Sequence, residues 1–138
     1  MKKFLILCLL ISSSVFANPY EWKVNKVVDG DTVSFQTPFA IPELGKNISV
    51  RIIGIDTPEK NQLAKCDKER QLGIRASEYT KTLFAGQKVA LVNVIGWDKY
   101  GGRIDGDIIV NGKNVGQELI TNGLARPYDG GKKSDWCK

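Results

Sequence analysis

For most of its length this chain places its apolar residues in short β-branched runs separated by turn residues. Trp22 to Val28 is apolar and β-prone, and Asp29-Gly30-Asp31 is a turn signal. Thr32 to Thr37 continues as a second strand, and Pro38 to Lys46, with two prolines and a glycine, reads as a loop. Asn47 to Ile55, rich in Ile and Val, predicts a third strand, followed by a polar surface loop from Pro58 to Lys65. The period then changes. Leu72, Ala76, Tyr79 and Leu83 recur at spacings of 4, 3 and 4, one apolar stripe of a helix capped by Asp67, running to about Ala85 and ended by Gly86. Strand patterning returns at Lys88 to Ile95 and, after a turn at Asp98 to Gly102, at Arg103 to Val110. Asn111-Gly112 is a tight-turn pair, and Val115, Leu119 and Ile120 place a short second helix that Asn122-Gly123 stops.

The order is three strands, helix, two strands, helix. A mainly β chain with five strands and a helix between the third and fourth fits the OB-fold, a five-stranded Greek-key barrel. An α+β sheet with packed helices is the other architecture compatible with that order. No repeat, low-complexity tract or linker divides the chain, and its 138 residues suit one domain.

The amino terminus has a different pattern. Lys2 and Lys3 precede an unbroken apolar run of eight, Phe4 to Ile11, then three serines and Val15-Phe16-Ala17. This is the layout of a secretory signal peptide cut after Ala17, and eight residues are far short of the roughly 20 that span a bilayer. The expected mature domain is 18–138, exported to the periplasm or the medium, with no membrane anchor after processing. Processing removes two lysines and no acid, so the net charge falls from +5 to +3. That is ordinary for a soluble domain and a mild argument for a polyanionic partner. It also removes Cys8 and leaves Cys66 and Cys137. Two cysteines in an exported chain suggest one disulfide, with a closed loop of about 70 residues worth on the order of 4 kcal/mol. Two free buried thiols are the other reading.

The chain has no histidine. Ser-His-Asp and Cys-His nucleophile systems, a His general base and His-ligated metals are therefore excluded. Carboxylates, Tyr, Lys or Arg must do any proton and charge work, and a bound metal would be a hard cation on oxygen ligands. Acids next to turns and strand ends stand out. Asp29 and Asp31 flank Gly30, and Asp56 and Glu59 bracket Thr57-Pro58 directly after an apolar strand. Taken singly, each is an ordinary turn or capping acid. Arg51 sits inside the apolar run Val50 to Ile55, either at an edge facing solvent or buried beside an anion. Arg103 opens a strand after Tyr100-Gly101-Gly102. Two guanidinium forks, a hard cation and a spare carboxylate are the parts needed to hydrolyse a phosphodiester without histidine.

Four stretches together resemble the thermonuclease family, the staphylococcal or micrococcal nuclease-like proteins. They are Val28-Asp-Gly-Asp-Thr-Val33, Val50-Arg-Ile-Ile-Gly-Ile-Asp-Thr-Pro-Glu59, Asp98-Lys-Tyr-Gly-Gly-Arg103, and Asn111-Gly-Lys-Asn-Val115 with Asn122-Gly-Leu-Ala125. They occur in family order between about residues 24 and 128. The resemblance implies that Asp31 and Asp56 ligate Ca²⁺, that Thr57 offers it a backbone carbonyl, and that Glu59 is the general base or water-orienting group. Arg51 and Arg103 would bind phosphate, and Lys99, Tyr100 and Tyr128 would contact bound nucleotide. The implied activity is that of a monomeric Ca²⁺-dependent endonuclease hydrolysing DNA and RNA with low sequence specificity and leaving 3′-phosphates. A non-catalytic nucleic-acid-binding OB-fold module is the alternative; the family's modules of that kind are expected to lose the acids or arginines.

The chain departs from the family pattern in three places. There is an extra glycine before Arg103, the loop after Glu59 is short, and the chain stops soon after Tyr128 where the best-known member continues into another helix. A Cys66–Cys137 bond tying a short tail to the first helix would replace that packing. Lys60, Lys65, Lys68, Lys99, Lys132 and Lys133 are further candidates for phosphate contacts.

Overall fold

The computed structural model describes residues 18–41 and 45–138. The signal-peptide reading of residues 1–17 lies outside them. The described chain runs β1 (Tyr20–Asp29), β2 (Thr32–Ile41), β3 (Gly45–Ile52), β4 (Ile55–Asp56), α1 (Asp67–Phe84), β5 (Val89–Trp97), β6 (Arg103–Val110), β7 (Lys113–Asn114), α2 (Val115–Thr121) and β8 (Arg126–Pro127).

The main sheet has the order β3-β2-β1-β5-β6-β7, and β3 also pairs with β6. That additional pairing is parallel, with Val50 opposite Ile104 and Arg51 opposite Asp105. It closes five strands into a barrel and leaves no long edge open. Alternation along each strand fills the interior: Val33, Phe35, Val50, Ile52, Val92, Ile108 and Val110 are all essentially inaccessible. The expected mainly β OB-fold with two helices is the observed architecture.

Three local expectations change. The stretch from Pro38 is not all loop, because β2 continues to Ile41, paired with Gly45. The ladder is irregular between Gln36 and Ile41, and there the Thr37 hydroxyl donates to Phe39 O at 2.7 Å. Side-chain bonding of this kind keeps the strand in place where Pro38 has no N–H to give. Asn47 to Ile55 is not one strand either. Gly54, at φ +76, turns the chain out of the barrel, and Ile55–Asp56 then pairs with Arg126–Pro127 in a separate two-stranded sheet. Third, the cap of α1 is Cys66 rather than Asp67: its sulfur accepts from the Glu69 N–H at 3.4 Å.

The buried face of α1 is also not its apolar stripe. Ala76 is fully buried, but Leu72, Tyr79 and Leu83 are only half-buried, and the face against the barrel includes Gly73, Ser77 and Thr80. Small residues are needed because the helix backbone lies very close to its neighbours. A Cβ on Gly73 would stand 2.5 Å from the Glu59 carbonyl carbon, and one on Gly30 would stand 2.9 Å from Ala76 Cβ. The Thr80 hydroxyl donates to Gly30 O at 2.7 Å. Thus α1 fixes both the β1–β2 turn and the segment after β4. The turn pair Asn111-Gly112, at φ 50 and 73, joins β6 to β7 as expected of a primed hairpin turn.

Cys66 and Cys137 are disulfide-bonded across 71 positions. The bond ties the tail to the start of α1. Replacing both cysteines by serine is expected to lower stability by about 2–4 kcal/mol, read from urea unfolding. The unreduced wild type should give no titratable thiol from these two residues; two reactive thiols, or an unchanged midpoint, would contradict the bond.

Candidate active site

The closing seam places the arginines. Ser49 lies opposite Arg103 in the parallel β3–β6 pairing, and Arg51 is two residues further along. Two residues is one full pleat, so Arg51 and Arg103 project from the same outer face while Val50 and Ile104 point inward. Thr32 is the antiparallel partner of Arg51, which sets the neighbouring Asp31 beside the guanidinium. Arg51 Nη2 is 3.7 Å from Asp31 Oδ2, and the group donates to Ile52 O and Ile55 O over 3.4 and 3.3 Å. The other Asp31 oxygen accepts from the Thr32 hydroxyl at 2.9 Å.

Arg103 has a carboxylate of its own. Its Nη2 donates to Asp98 Oδ2 at 2.7 Å, and Asp98 Oδ1 accepts from the Tyr100 N–H at 2.9 Å. Gly101 and Gly102 both take φ +73, a backbone conformation open to glycine. The loop still closes on Asp98, whose N–H donates to Arg103 O and whose carbonyl accepts from Gly101. The extra glycine therefore leaves Arg103 in the cleft with Arg51. Arg103 holds the buried Asp98 carboxyl below its ordinary range, aided by the Tyr100 N–H. Lys99 Nζ lies 4.9 Å from the centre of the Tyr100 ring, and Tyr100 is 80% exposed.

Asp56 is 3% exposed. Its Oδ2 accepts from the Trp136 indole N–H at 3.1 Å. Its Oδ1 is buried and receives no hydrogen bond of good geometry, although Lys133 Nζ is only 2.9 Å away. We read that contact as an ion pair rather than a directed bond, since the ammonium is close but poorly aligned. Lys133 Nζ is also 3.9 Å from Glu59 Oε1. Burial pushes the Glu59 carboxyl above its ordinary range; Lys133 opposes the rise, while Asp31, Asp29 and Asp56 add to it. Four carboxylates thus feel one another around the Thr57-Pro58 bend.

Glu59 is held from behind. Its N–H donates to Glu69 Oε1 at 3.4 Å, and Glu69 Oε2 accepts from the Lys65 N–H at 2.8 Å. Lys60 does not face a phosphate site: it turns inward to Asp29 at 3.0 Å and donates to Val28 O at 2.6 Å.

These groups converge on a cleft of about 420 Å³ lined by Asp31, Arg51, Thr57, Glu59, Arg103 and Lys133, among others. A neighbouring cavity, also about 420 Å³, brings Lys99, Tyr100 and Tyr128 to the same two arginines. Asp56 opens instead into a smaller cavity of about 150 Å³, which shares Thr57, Glu59 and Lys133 with the main cleft. Among the described residues no three or more Cys, Asp or Glu side chains are grouped closely enough to form a ready-made metal cage. The donors nevertheless suit a hard cation: all are oxygens, and the buried Asp56 Oδ1 lacks a hydrogen-bond donor. Carbonyl oxygens and water would complete the ligand set. Sequence reasoning missed Asp98, Trp136 and the inward role of Glu69. A tryptophan beside a cysteine in an otherwise polar tail was the available signal that the tail packs against something.

Barrel and cleft together define an OB-fold protein with two arginines gathered beside carboxylates at its closing seam. The family model described as staphylococcal nuclease homologue matches residues 49–135, and the chain belongs to that family. It is 39% identical over 115 residues to Endonuclease YhcR of Bacillus subtilis (strain 168), covering 79% of this chain but 9% of that protein. It is 31% identical over 131 residues to an uncharacterized endonuclease of Escherichia coli, covering 94% and 75% of the two chains. Its identity to the Thermonuclease of Staphylococcus hyicus is 32% over 111 residues, 80% of this chain and 60% of that one.

Two outcomes test the geometry. Asp98 stabilises the fold fully above the ordinary Asp value of 3.8, and that contribution is lost as the pH falls through its depressed folded-state value. Wild type and Asp98→Asn should therefore differ in urea unfolding at neutral pH and converge in stronger acid; a constant difference would contradict the pair. Gly73→Ala should cost about 1–3 kcal/mol in the same measurement, because a methyl there meets the Glu59 backbone.

Proposed function

We infer that the chain is an endonuclease hydrolysing phosphodiester bonds of DNA and RNA, with Ca²⁺ as its cofactor and with little sequence specificity. One observation carries this reading: two arginines share an outer face of the closing seam and open, with Asp31 and Glu59, into a single cleft. The relatives named endonuclease and thermonuclease point the same way.

Arg51 and Arg103 hold the non-bridging oxygens of one phosphate. Planar forks suit that task, and their charge does not depend on pH. Asp31 and Asp98 orient the forks before substrate arrives, so little reorganisation is left for the transition state. Glu59 accepts the proton of the attacking water. Burial and the neighbouring acids raise its affinity for a proton above that of an ordinary glutamate, which makes the carboxylate a better base. The new bond runs from water oxygen to phosphorus, the bond from phosphorus to the 5′ oxygen breaks, and that oxygen takes a proton from solvent, to which Glu59 returns the one it accepted. The products carry 3′-phosphate and 5′-hydroxyl ends. Asp31, Asp56 and the Thr57 carbonyl would hold Ca²⁺, which would supply Lewis-acid charge at the phosphoryl group. Lys99, Tyr100 and Tyr128 line the adjoining cavity and receive the flanking nucleotide by charge and stacking. Such contacts read backbone and ring faces rather than base edges, consistent with low specificity.

Export rests on the amino-terminal pattern and is supported by the disulfide, a bond of oxidising compartments. No helix among the described residues is long and apolar enough to cross a membrane.

Incubating the mature protein with single-stranded DNA tests the reading. Cleavage is expected with Ca²⁺, none with chelator, and a rate at least about 10²-fold lower for Glu59→Ala. Equal activity in all three would sink the mechanism. Binding without cleavage would favour a non-catalytic module. End-group analysis should find 3′-phosphates.

A further inference from the structure

The tail after β8 reaches back to the site. Trp136 is 5% exposed and spends its only donor on Asp56 Oδ2. One face of its ring is covered: the Arg126 guanidinium lies 3.9 Å from the ring centre, and Arg126 also donates to Asp135 O. The next residue, Cys137, is bonded to Cys66 at the start of α1. The indole is therefore held by the cation on its face and by the adjoining disulfide. Lys133 reaches back from the same tail and sets Nζ 2.9 Å from the other oxygen, Oδ1. Its side chain is 48% exposed, so this ammonium can leave for water, whereas the buried carboxylate cannot.

A carboxylate that is 3% exposed needs a countercharge. Here one oxygen is committed to a neutral donor and the other to a removable cation. We propose that the disulfide-anchored tail is part of the divalent-cation site, with Trp136 as the positioning residue that orients Asp56 and Lys133 as a built-in counter-ion that a divalent cation must displace from Oδ1. The inference rests on the reading that Asp56 is a Ca²⁺ ligand. It adds that affinity for the ion is set by two residues distant in sequence from every ligand. Removing the indole donor frees Asp56 to rotate. Removing the ammonium removes a competitor and leaves a buried charge that only the ion can satisfy. The two substitutions therefore act in opposite directions, which a merely structural tail would not produce.

Calorimetric titration of the oxidised mature protein with CaCl₂ separates these effects. Lys133→Met is expected to bind Ca²⁺ about fivefold more tightly than Lys132→Met, which removes the same charge from the adjacent position. Trp136→Phe is expected to bind about tenfold more weakly than wild type. Thermal melting gives a second readout. In chelator Lys133→Met should melt below wild type, and Ca²⁺ should raise its midpoint by more than it raises that of wild type. Near-UV circular dichroism checks folding. Should Trp136→Phe fail to fold, the half-exposed Lys133→Met decides alone. Wild type, Lys133→Met and Trp136→Phe binding Ca²⁺ with one affinity would overturn the inference and leave the Ca²⁺ reading standing. No binding by any of them would overturn both, and binding by Lys133→Met alone would support a displaced counter-ion.

Discussion

The parallel pairing of β3 with β6 holds the rest of this molecule in place. It turns an open sheet into a barrel, and it sets the register in which Val50 and Ile104 face the core. In the same step it puts Arg51 and Arg103 on one outer face. A slip of one residue in either strand would drive a guanidinium into the apolar interior. The hydrophobic effect that fixes the register therefore also fixes the pair of arginines.

Around that seam four acids each have a partner, while Asp105 Oδ1 is buried without a hydrogen bond. Asp31 lies against Arg51, Asp98 is bonded to Arg103, Asp29 is paired with Lys60, and Asp56 is held by the tail. Among the described residues Glu59 makes one ion-pair contact, a long one of 3.9 Å to Lys133, which is shared with Asp56. The arrangement leaves one carboxylate comparatively free in a cleft where its neighbours are engaged. That is the electrostatic situation a base requires, with its affinity for a proton raised by burial and by the other acids.

Much of this was legible in the sequence, because the signals were local. The alternating runs, the Asn111-Gly112 turn and the 3.6-residue stripe placed seven main elements in order. The resemblance pointed to Asp31, Arg51, Thr57, Glu59 and Arg103, which line one cleft, and to Asp56, which opens into a smaller cavity beside it. The interactions that the sequence hid are the long-range ones. Nothing local tells that Gly54 would break a strand of Ile and Val, since its positive φ is imposed by pairing with a segment some 70 residues later. The apolar stripe of α1 pointed to Leu72 and Leu83, whereas close approach of backbones selected Gly73 and Thr80 for the buried face. Lys60 and Lys133 look alike as surface lysines, and only the fold shows that one turns to Asp29 and the other to Asp56.

The disulfide gives the tail a further meaning. Lys133, Trp136 and Cys137 follow every barrel strand and α1 in the chain, yet the indole holds a carboxylate 80 residues earlier. Reduction of Cys66–Cys137 would release the end that bears the indole without cutting any strand of the barrel. The surroundings of Asp56 are thereby exposed to redox conditions to which the scaffold itself is indifferent.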